Sequence, residues 1–130
     1  MASVLLIEDN EDDIELAQRA FEKAGMADRV RVARDGEEGL SCLFSSTDGA
    51  SIQLVLLDLN LPKTPGLDVL RQIRGHEKTR ELPVVVLTIS RKEPDLLQSF
   101  TMGASDYLIK PVNPDRLTEI YKKYVKGPSV

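Results

Sequence analysis

The sequence predicts an α/β fold in which a five-stranded parallel sheet carries helices on both faces. Three short apolar runs, rich in Val, Leu and Ile and bounded by polar residues, are typical of strands buried on both faces; they lie at residues 4–7, 54–57 and 84–87. Segments with apolar side chains at helical spacing alternate with these runs. Such an alternation indicates a doubly wound sheet with right-handed crossovers.

Two weaker segments complete the five strands. Residues 30–33 alternate between apolar and charged side chains, with Arg31 between Val30 and Val32, which is typical of an edge strand. Residues 107–109 form the last apolar run and are predicted to lie at the other edge of the sheet.

The first three helices have recognisable ends. Asn10 is expected to cap the first helix and Gly25 to end it, because Asn is a good N-cap and glycine suits a helix C-terminus. Asp35 and Glu38 have the spacing of a capping box before a short second helix, and Gly75 is expected to close the third. The side chains predicted to face inward are Ile14, Ala17, Phe21 and Ala24, then Leu40 and Phe44, then Leu67, Leu70 and Ile73.

The last two helices begin at prolines, which favour the first position of a helix. Pro94 starts the fourth helix, which contains Leu97 and Phe100. Asn113 caps the fifth helix and Pro114 occupies its first position. The apolar residues at helical spacing in the fifth helix are Leu117, Ile120, Tyr121 and Tyr124.

Size and composition exclude several classes of protein. The 130 residues correspond to about one domain, since domains average roughly 150 residues. The 17 basic and 21 acidic residues give a net charge of −4, which argues against nucleic-acid binding. No apolar stretch reaches the roughly 18 residues of a membrane span, and the N-terminus shows no secretory signal. The single cysteine, Cys42, fits a reducing, cytoplasmic location and is expected to pack in the second helix, whereas His76 is expected to be solvated.

Polar side chains stand where four of the five strands end. Glu8 and Asp9 follow the first strand, Asp58 the third, Thr88 ends the fourth and Lys110 follows the fifth. The carboxyl ends of parallel strands share one edge of the sheet, which is where open α/β sheets bind ligands. Each residue alone is also typical of a turn, a helix cap or a surface position, but their coincidence at four strand ends favours a site.

The charges of this set require a further component. Three carboxylates at one point repel one another, and a single lysine does not balance them. A divalent cation does, and oxygen ligands favour a hard ion such as Mg²⁺. Carboxylates from the first and third strands meet only if those strands are neighbours, which predicts the strand order 2-1-3-4-5. An aspartate nucleophile, a cation, a hydroxyl and a lysine together predict a phosphoryl-transfer site.

Four segments, in this order, resemble the receiver domain of two-component response regulators: VLLIEDNEDD, LVLLDLNLPKTPGLDVL, VVVLTIS and GASDYLIKP. The resemblance covers nearly the whole chain. It implies a flavodoxin-like receiver fold over residues 1–126, with a short tail at 127–130 and no output domain. The protein would then be a signalling switch rather than an enzyme, catalysing only its own phosphorylation and dephosphorylation.

The resemblance also implies roles for the residues at the acidic edge. Asp58 would accept a phosphoryl group from a sensor histidine kinase. Asp9 and Asp58 would bind Mg²⁺ together with the backbone carbonyl of Asn60, while Glu8 would act mainly through water.

Four further residues receive roles from the same resemblance. Thr88 and Lys110 would hold the phosphoryl oxygens. Tyr107 and Thr88 would form the switch that responds to phosphorylation, and the peptide bond between Lys110 and Pro111 would be cis.

The signal is expected to leave through a protein surface. We expect a homodimer whose interface includes the fourth helix, the fifth strand and the fifth helix, because Leu117, Ile120, Tyr121 and Tyr124 offer more apolar surface than one sheet face needs. A monomer that keeps this face for a kinase or a target is the alternative. The DLNLPK segment and the long loop at 45–51 resemble stand-alone regulators paired with bacterial phytochrome kinases.

Two other functions fit parts of the pattern. Asp58, Thr88 and Lys110 match the nucleophile, hydroxyl and lysine of haloacid-dehalogenase-like phosphatases, but Asn60 stands where that family needs a second aspartate as general acid. A flavin-binding domain of similar topology would need a phosphate-cradling loop after the first strand, where the acidic pair at residues 8–9 would instead repel a phosphate.

Overall fold

The computed structural model describes residues 2–45, 47–61 and 63–125. The tail predicted at residues 127–130 lies outside the described residues. The strands are β1 (Val4–Ile7), β2 (Val30–Ala33), β3 (Leu54–Asp58), β4 (Val84–Thr88) and β5 (Asp106–Ile109). The helices are α1 (Glu11–Lys23), α2 (Gly36–Phe44), α3 (Gly66–Gly75), α4 (Pro94–Thr101) and α5 (Pro114–Tyr124).

The five strands form one parallel sheet in the order β2-β1-β3-β4-β5, which confirms the predicted order. In the register of the sheet, Ile7 lies beside Leu57, and Thr88 lies beside Ile109. The residues that follow β1, β3, β4 and β5 therefore meet at one edge. The predicted edge strands, β2 and β5, are the outer strands of the sheet.

Apolar side chains of the central strands point alternately to two cores, because successive residues of a strand face opposite sides of a sheet. Val4 and Leu6 pack on the side of α1 and α5, with Phe21, Leu117 and Ile120. The other side holds the core under α2 and α3, formed by residues such as Leu5, Ile7, Cys42, Leu43, Leu70 and Ile73. The cysteine predicted to pack is buried there.

The predicted helix caps are present. The side chain of Asn10 accepts a hydrogen bond from the backbone N–H of Asp13 at 3.0 Å, and that of Asp35 accepts one from Glu38 at 2.7 Å. Asn113 caps α5 in the same way. Gly25 follows α1 with a φ of +76°, a conformation that favours glycine.

Two side chains differ in burial from what the sequence indicated. Leu96, rather than Leu97, anchors α4 against the sheet, and Leu97 is 76% exposed. His76 is half-buried rather than solvated, because its ring stacks on Phe44 with the ring centroids 4.2 Å apart.

The fifth helix also differs from expectation, because it does not carry surplus apolar surface. Leu117 and Ile120 are both fully buried, since α5 shares one core with α1. Tyr121 and Tyr124 pack against that core as partly buried residues. The Tyr124 hydroxyl donates a hydrogen bond to the backbone carbonyl of Ser105 at 3.0 Å.

None of the helices in the described part of the chain combines the length and the apolar character of a membrane span.

Candidate functional site

Lys110 is the centre of the charged edge. Its ammonium nitrogen lies 2.9 Å from Glu8 Oε2, 3.1 Å from Asp58 Oδ1 and 3.1 Å from Asp13 Oδ2. The side chain of Lys110 is 11% exposed, and those of Glu8 and Asp58 are 1% and 2% exposed. Three of the predicted site residues are therefore in direct contact and largely out of water.

Asp13 is a member of this cluster that the sequence pattern does not indicate. It lies in the first turn of α1, which begins directly after β1 and so stands over the edge of the sheet. The sequence places three acidic residues in that turn, Glu11, Asp12 and Asp13, and helix periodicity alone does not tell which one faces the lysine.

Glu8, Asp9 and Asp58 have the arrangement of a metal-binding group. Each offers a carboxylate oxygen, and these oxygens all lie within 4.8 Å of one another. Glu8 Oε1 accepts a hydrogen bond from the backbone N–H of Asn10 at 3.2 Å. Glu8 Oε2 is buried and has no hydrogen-bond partner among the described residues, although Lys110 stands in ion-pair contact. The donor set is oxygen only, which fits a hard divalent cation.

The electrostatics of the cluster point to the same need for positive charge. Burial raises the pKa of Glu8 to about 7, and the neighbouring Asp58 carboxylate adds to the increase, while Lys110 opposes it. Burial would lower the pKa of Lys110, but its contacts with Glu8, Asp58 and Asp13 outweigh this effect and raise that pKa above its ordinary value. Lys110 therefore stays charged, and one cation is not enough to keep every carboxylate ionised.

The turn after β3 orients Asp58. The backbone N–H of Asn60 donates a hydrogen bond to Asp58 Oδ1 at 3.1 Å. Gly66, the first residue of α3, lies so close that a Cβ atom there would stand 2.5 Å from the Asp58 carbonyl oxygen and 2.6 Å from Leu59 Cα. A side chain at residue 66 would therefore push against the backbone that holds the aspartate.

Thr88 is fully buried at the end of β4, and its hydroxyl already has a partner. It donates a hydrogen bond to the carboxylate of Glu93, which lies in the loop between β4 and α4. The other oxygen of Glu93 accepts a hydrogen bond from the side-chain amide of Asn60 at 3.1 Å. Glu93 was not predicted, since a charged residue in a polar loop carries no periodic signal.

The remaining predicted residues lie at the β5 side of the site. Tyr107 is half-buried in β5, and its ring meets that of Phe100 edge to face, with the centroids 6.2 Å apart. The peptide bond between Lys110 and Pro111 is cis.

Comparison with known proteins identifies related sequences and structures. Residues 4–122 match the family model of the response regulator receiver domain. The probable methanogenesis regulatory protein FilR2 of Methanothrix harundinacea is 41% identical, over 95% of this chain and 83% of FilR2. The response regulator Rcp1 of Synechocystis is 33% identical, over 92% of this chain and 81% of Rcp1.

Solved structures have the same fold. The bacteriophytochrome response regulator RtBRR superimposes with a TM-score of 0.83 at 34% identity, covering 100% of this chain and 82% of RtBRR. A Mn²⁺-bound form of response regulator Rcp1 superimposes with a TM-score of 0.72 at 30% identity, covering 97% of this chain and 98% of that one. These matches support neither the phosphatase nor the flavin alternative. The chain belongs to the response regulator receiver-domain family, whose members signal through phosphorylation.

Proposed function

We propose that Asp58 is the phosphoacceptor of this receiver. The observation that carries the proposal is the buried Asp58 carboxylate in contact with Lys110, 3.1 Å away, at the carboxyl edge of the sheet. An Asp58 oxygen attacks the phosphorus atom of a phosphohistidine on a sensor histidine kinase. The P–N bond breaks, the imidazole keeps the electron pair, and an acyl phosphate forms on Asp58. Phosphate incorporation from acetyl phosphate, measured by mass spectrometry, tests this assignment.

The acidic group fits a divalent metal. Receiver domains bind such a metal at the active site, and we propose Mg²⁺ for this chain, held by Asp9, Asp58 and the backbone carbonyl of Asn60, with Glu8 acting through water. The ion supplies positive charge that neutralises the phosphoryl oxygens. The three carboxylates within 4.8 Å of one another support this assignment, because their mutual repulsion disfavours the fully ionised, metal-free cluster.

Asp9→Ala is expected to weaken Mg²⁺ binding by at least about tenfold, equivalent to about 1.4 kcal/mol, because the ion loses a direct carboxylate ligand. Titration calorimetry on the purified protein measures the change. Asp12→Ala is the matched control, since it removes an exposed carboxylate three residues further along. Equal affinity in Asp9→Ala and wild type would rule out this ligand.

Lys110 and Thr88 are proposed to hold the phosphoryl oxygens once Asp58 is phosphorylated. The Lys110 ammonium already lies beside Asp58, and Thr88 supplies a hydroxyl donor at the end of the next strand. Tyr107 is proposed as the switch residue, because its ring lies in β5 against Phe100 of α4. We propose no turnover of a separate substrate: the chemistry serves the receiver's own phosphorylation and dephosphorylation.

The partner is proposed to be a histidine kinase of the phytochrome type. Support comes from the likeness to the bacteriophytochrome response regulator RtBRR at 34% identity over the whole chain. We expect the pair to act in the cytoplasm, where the unpaired Cys42 would stay reduced.

We also propose that a second copy of the chain binds the face formed by α4, β5 and α5. Leu97 is 76% exposed and Phe100 40% exposed on α4, beside Tyr107 of β5. The part contributed by α5 is charged rather than apolar: Arg116 and Lys123 lie 3.5 Å and 3.7 Å from the carboxylate of Asp106. An apolar centre flanked by charges is typical of a protein interface.

Light scattering at micromolar concentration is expected to give twice the monomer mass, and Leu97→Asp is expected to give the monomer mass, since a buried carboxylate opposes association. Leu16→Asp, at an apolar residue that is 43% exposed on α1, is the control and should stay dimeric. A monomer mass for wild type both with and without beryllofluoride, an analogue of the phosphoryl group, would contradict the dimer.

A further inference from the structure

Glu93 bridges the two loops that border the phosphoryl site. One carboxylate oxygen accepts a hydrogen bond from the hydroxyl of Thr88, and the other accepts one from the side-chain amide of Asn60 at 3.1 Å. Thr88 ends β4 and Asn60 follows β3, so that the bridge spans neighbouring strands. The Glu93 side chain thus accepts hydrogen bonds from donors on both sides of the site.

The hydroxyl of Thr88 has one proton to donate. Two acceptors compete for it: the Glu93 carboxylate and the backbone carbonyl of Ser90, 3.0 Å away. The carboxylate is the stronger acceptor, because hydrogen bonds to a charged group are about twice as strong as neutral ones. The backbone N–H of Ser90 donates a hydrogen bond to the Thr88 hydroxyl oxygen at 3.3 Å. This contact favours a direction of the hydroxyl proton that points away from that N–H.

We propose that Glu93 is a positioning residue that competes with the phosphoryl group for Thr88, and that phosphorylation displaces it. The proposal rests on the role of Asp58 as phosphoacceptor. A phosphoryl group on Asp58 would need the Thr88 proton that Glu93 holds. Two anions cannot share one proton donor at hydrogen-bond distance without strong repulsion, so the Glu93 side chain leaves Thr88 and weakens its contact with Asn60.

The displacement reaches α4 because of where Glu93 lies. It is the residue before Pro94, and its backbone carbonyl accepts a hydrogen bond from the N–H of Leu96 at 3.1 Å. Leu96 is the buried anchor of α4, whereas Leu97, next to it, faces outward. Release of Glu93 therefore changes the attachment of the helix whose outer face is proposed to bind a second copy.

The affinity for beryllofluoride, formed from beryllium chloride and sodium fluoride at saturating Mg²⁺, tests the competition. Glu93→Ala is expected to bind about tenfold more tightly than wild type, since the analogue no longer has to replace a charge-assisted hydrogen bond. Glu93→Gln is expected to fall between the two, because its amide oxygen accepts from Thr88 without a negative charge. Binding is followed by the backbone amide signals in NMR, which also report whether each variant is folded.

Asp95→Asn is the matched control, since it removes a carboxylate from the first turn of the same helix and leaves the Glu93 bridge in place. It should bind beryllofluoride within about twofold of wild type. In the absence of the analogue, the amide signals of Ser90 and Lys92 in Glu93→Ala should move toward their positions in beryllofluoride-bound wild type. A structural role of Glu93 alone would not produce this direction of change.

Two results overturn the proposal: equal or weaker beryllofluoride binding in both Glu93→Ala and Glu93→Gln, or a gain in Asp95→Asn as large as theirs. The Asp58→Asn variant distinguishes a failure of the Glu93 competition from a failure of the proposed function. If Asp58→Asn binds beryllofluoride as wild type does, Asp58 is not the acceptor. If Asp58→Asn abolishes binding and the Glu93 variants match wild type, only the competition is wrong.

Discussion

Asp58→Asn is expected to abolish phosphorylation of the protein. Incubation with acetyl phosphate and Mg²⁺ should add one phosphate to wild type and none to the variant, because an amide cannot replace the carboxylate nucleophile. Intact-mass spectrometry measures the difference. The asparagine is nearly isosteric and keeps an oxygen that can accept the hydrogen bond from the Asn60 N–H, so that the turn after β3 should be retained.

The matched control for this experiment is Asp12→Asn, an exposed aspartate in the first turn of α1. It should be labelled as wild type is. A purified histidine kinase of the phytochrome type, used as donor in place of acetyl phosphate, tests the proposed partner with the same pair of variants. Equal labelling of Asp58→Asn and wild type would disprove the assignment of the phosphoacceptor.

Lys110→Ala is expected to remove the response to the phosphoryl group and to lower stability. The Lys110 side chain is 11% exposed and contacts Glu8, Asp58 and Asp13, so that its removal leaves buried carboxylates without their cation. Loss of one partner of a buried ion pair costs about 3 kcal/mol. Thermal unfolding of the metal-free protein should show this loss at pH 8, and beryllofluoride with Mg²⁺ should no longer raise the melting temperature.

The destabilisation by Lys110→Ala should depend on pH. Burial raises the pKa of Glu8 to about 7 from an ordinary 4.5, so that this group stabilises the folded protein at low pH and the contribution is lost as the pH rises through about 7. Lys110 opposes the rise, and without it the pKa of Glu8 increases further. Protonation of Glu8 removes one of the negative charges that Lys110 would otherwise balance. The variant should therefore lose less stability at pH 6 than at pH 8.

Lys92→Ala, at an exposed lysine in the loop before α4, is the control for the loss of a positive charge near the site. It should keep both the wild-type melting temperature and the stabilisation by beryllofluoride. If beryllofluoride stabilises Lys110→Ala as much as it stabilises wild type, Lys110 does not hold the phosphoryl oxygens.

The strands and their order could be predicted because the physical signal is strong. A run such as residues 54–57 is buried on both faces and therefore lacks polar residues, and the polar residue that follows it marks the end of the strand. Parallel strands bring such ends together, so the contact of Glu8, Asp58 and Lys110 follows from topology.

The site residues that the sequence did not indicate lie outside the strand ends, where the sheet topology does not determine the direction of a side chain. Asp13 and Glu93 reach the site through a helix turn and a loop, and their direction depends on backbone geometry that no periodic pattern reports. The prediction of surplus apolar surface on α5 is wrong for a related reason. Helical spacing shows which residues share a face, but it does not show how much of that face the neighbouring helix covers, and α1 leaves Leu117 fully buried.

The close approach of Gly66 to the backbone of Asp58 limits which residues position 66 of this chain can carry. A methyl group at residue 66 would stand 2.5 Å from the carbonyl oxygen of Asp58, and the nearby atoms are main chain, which cannot rotate aside as a side chain does. Glycine at residue 66 has no side chain to contribute to the site, yet even alanine would tilt the Asp58 carboxylate or push α3 off the sheet. Among functional variants recovered after random mutagenesis, residue 66 should therefore remain glycine, because a side chain there would collide with the main chain that carries Asp58.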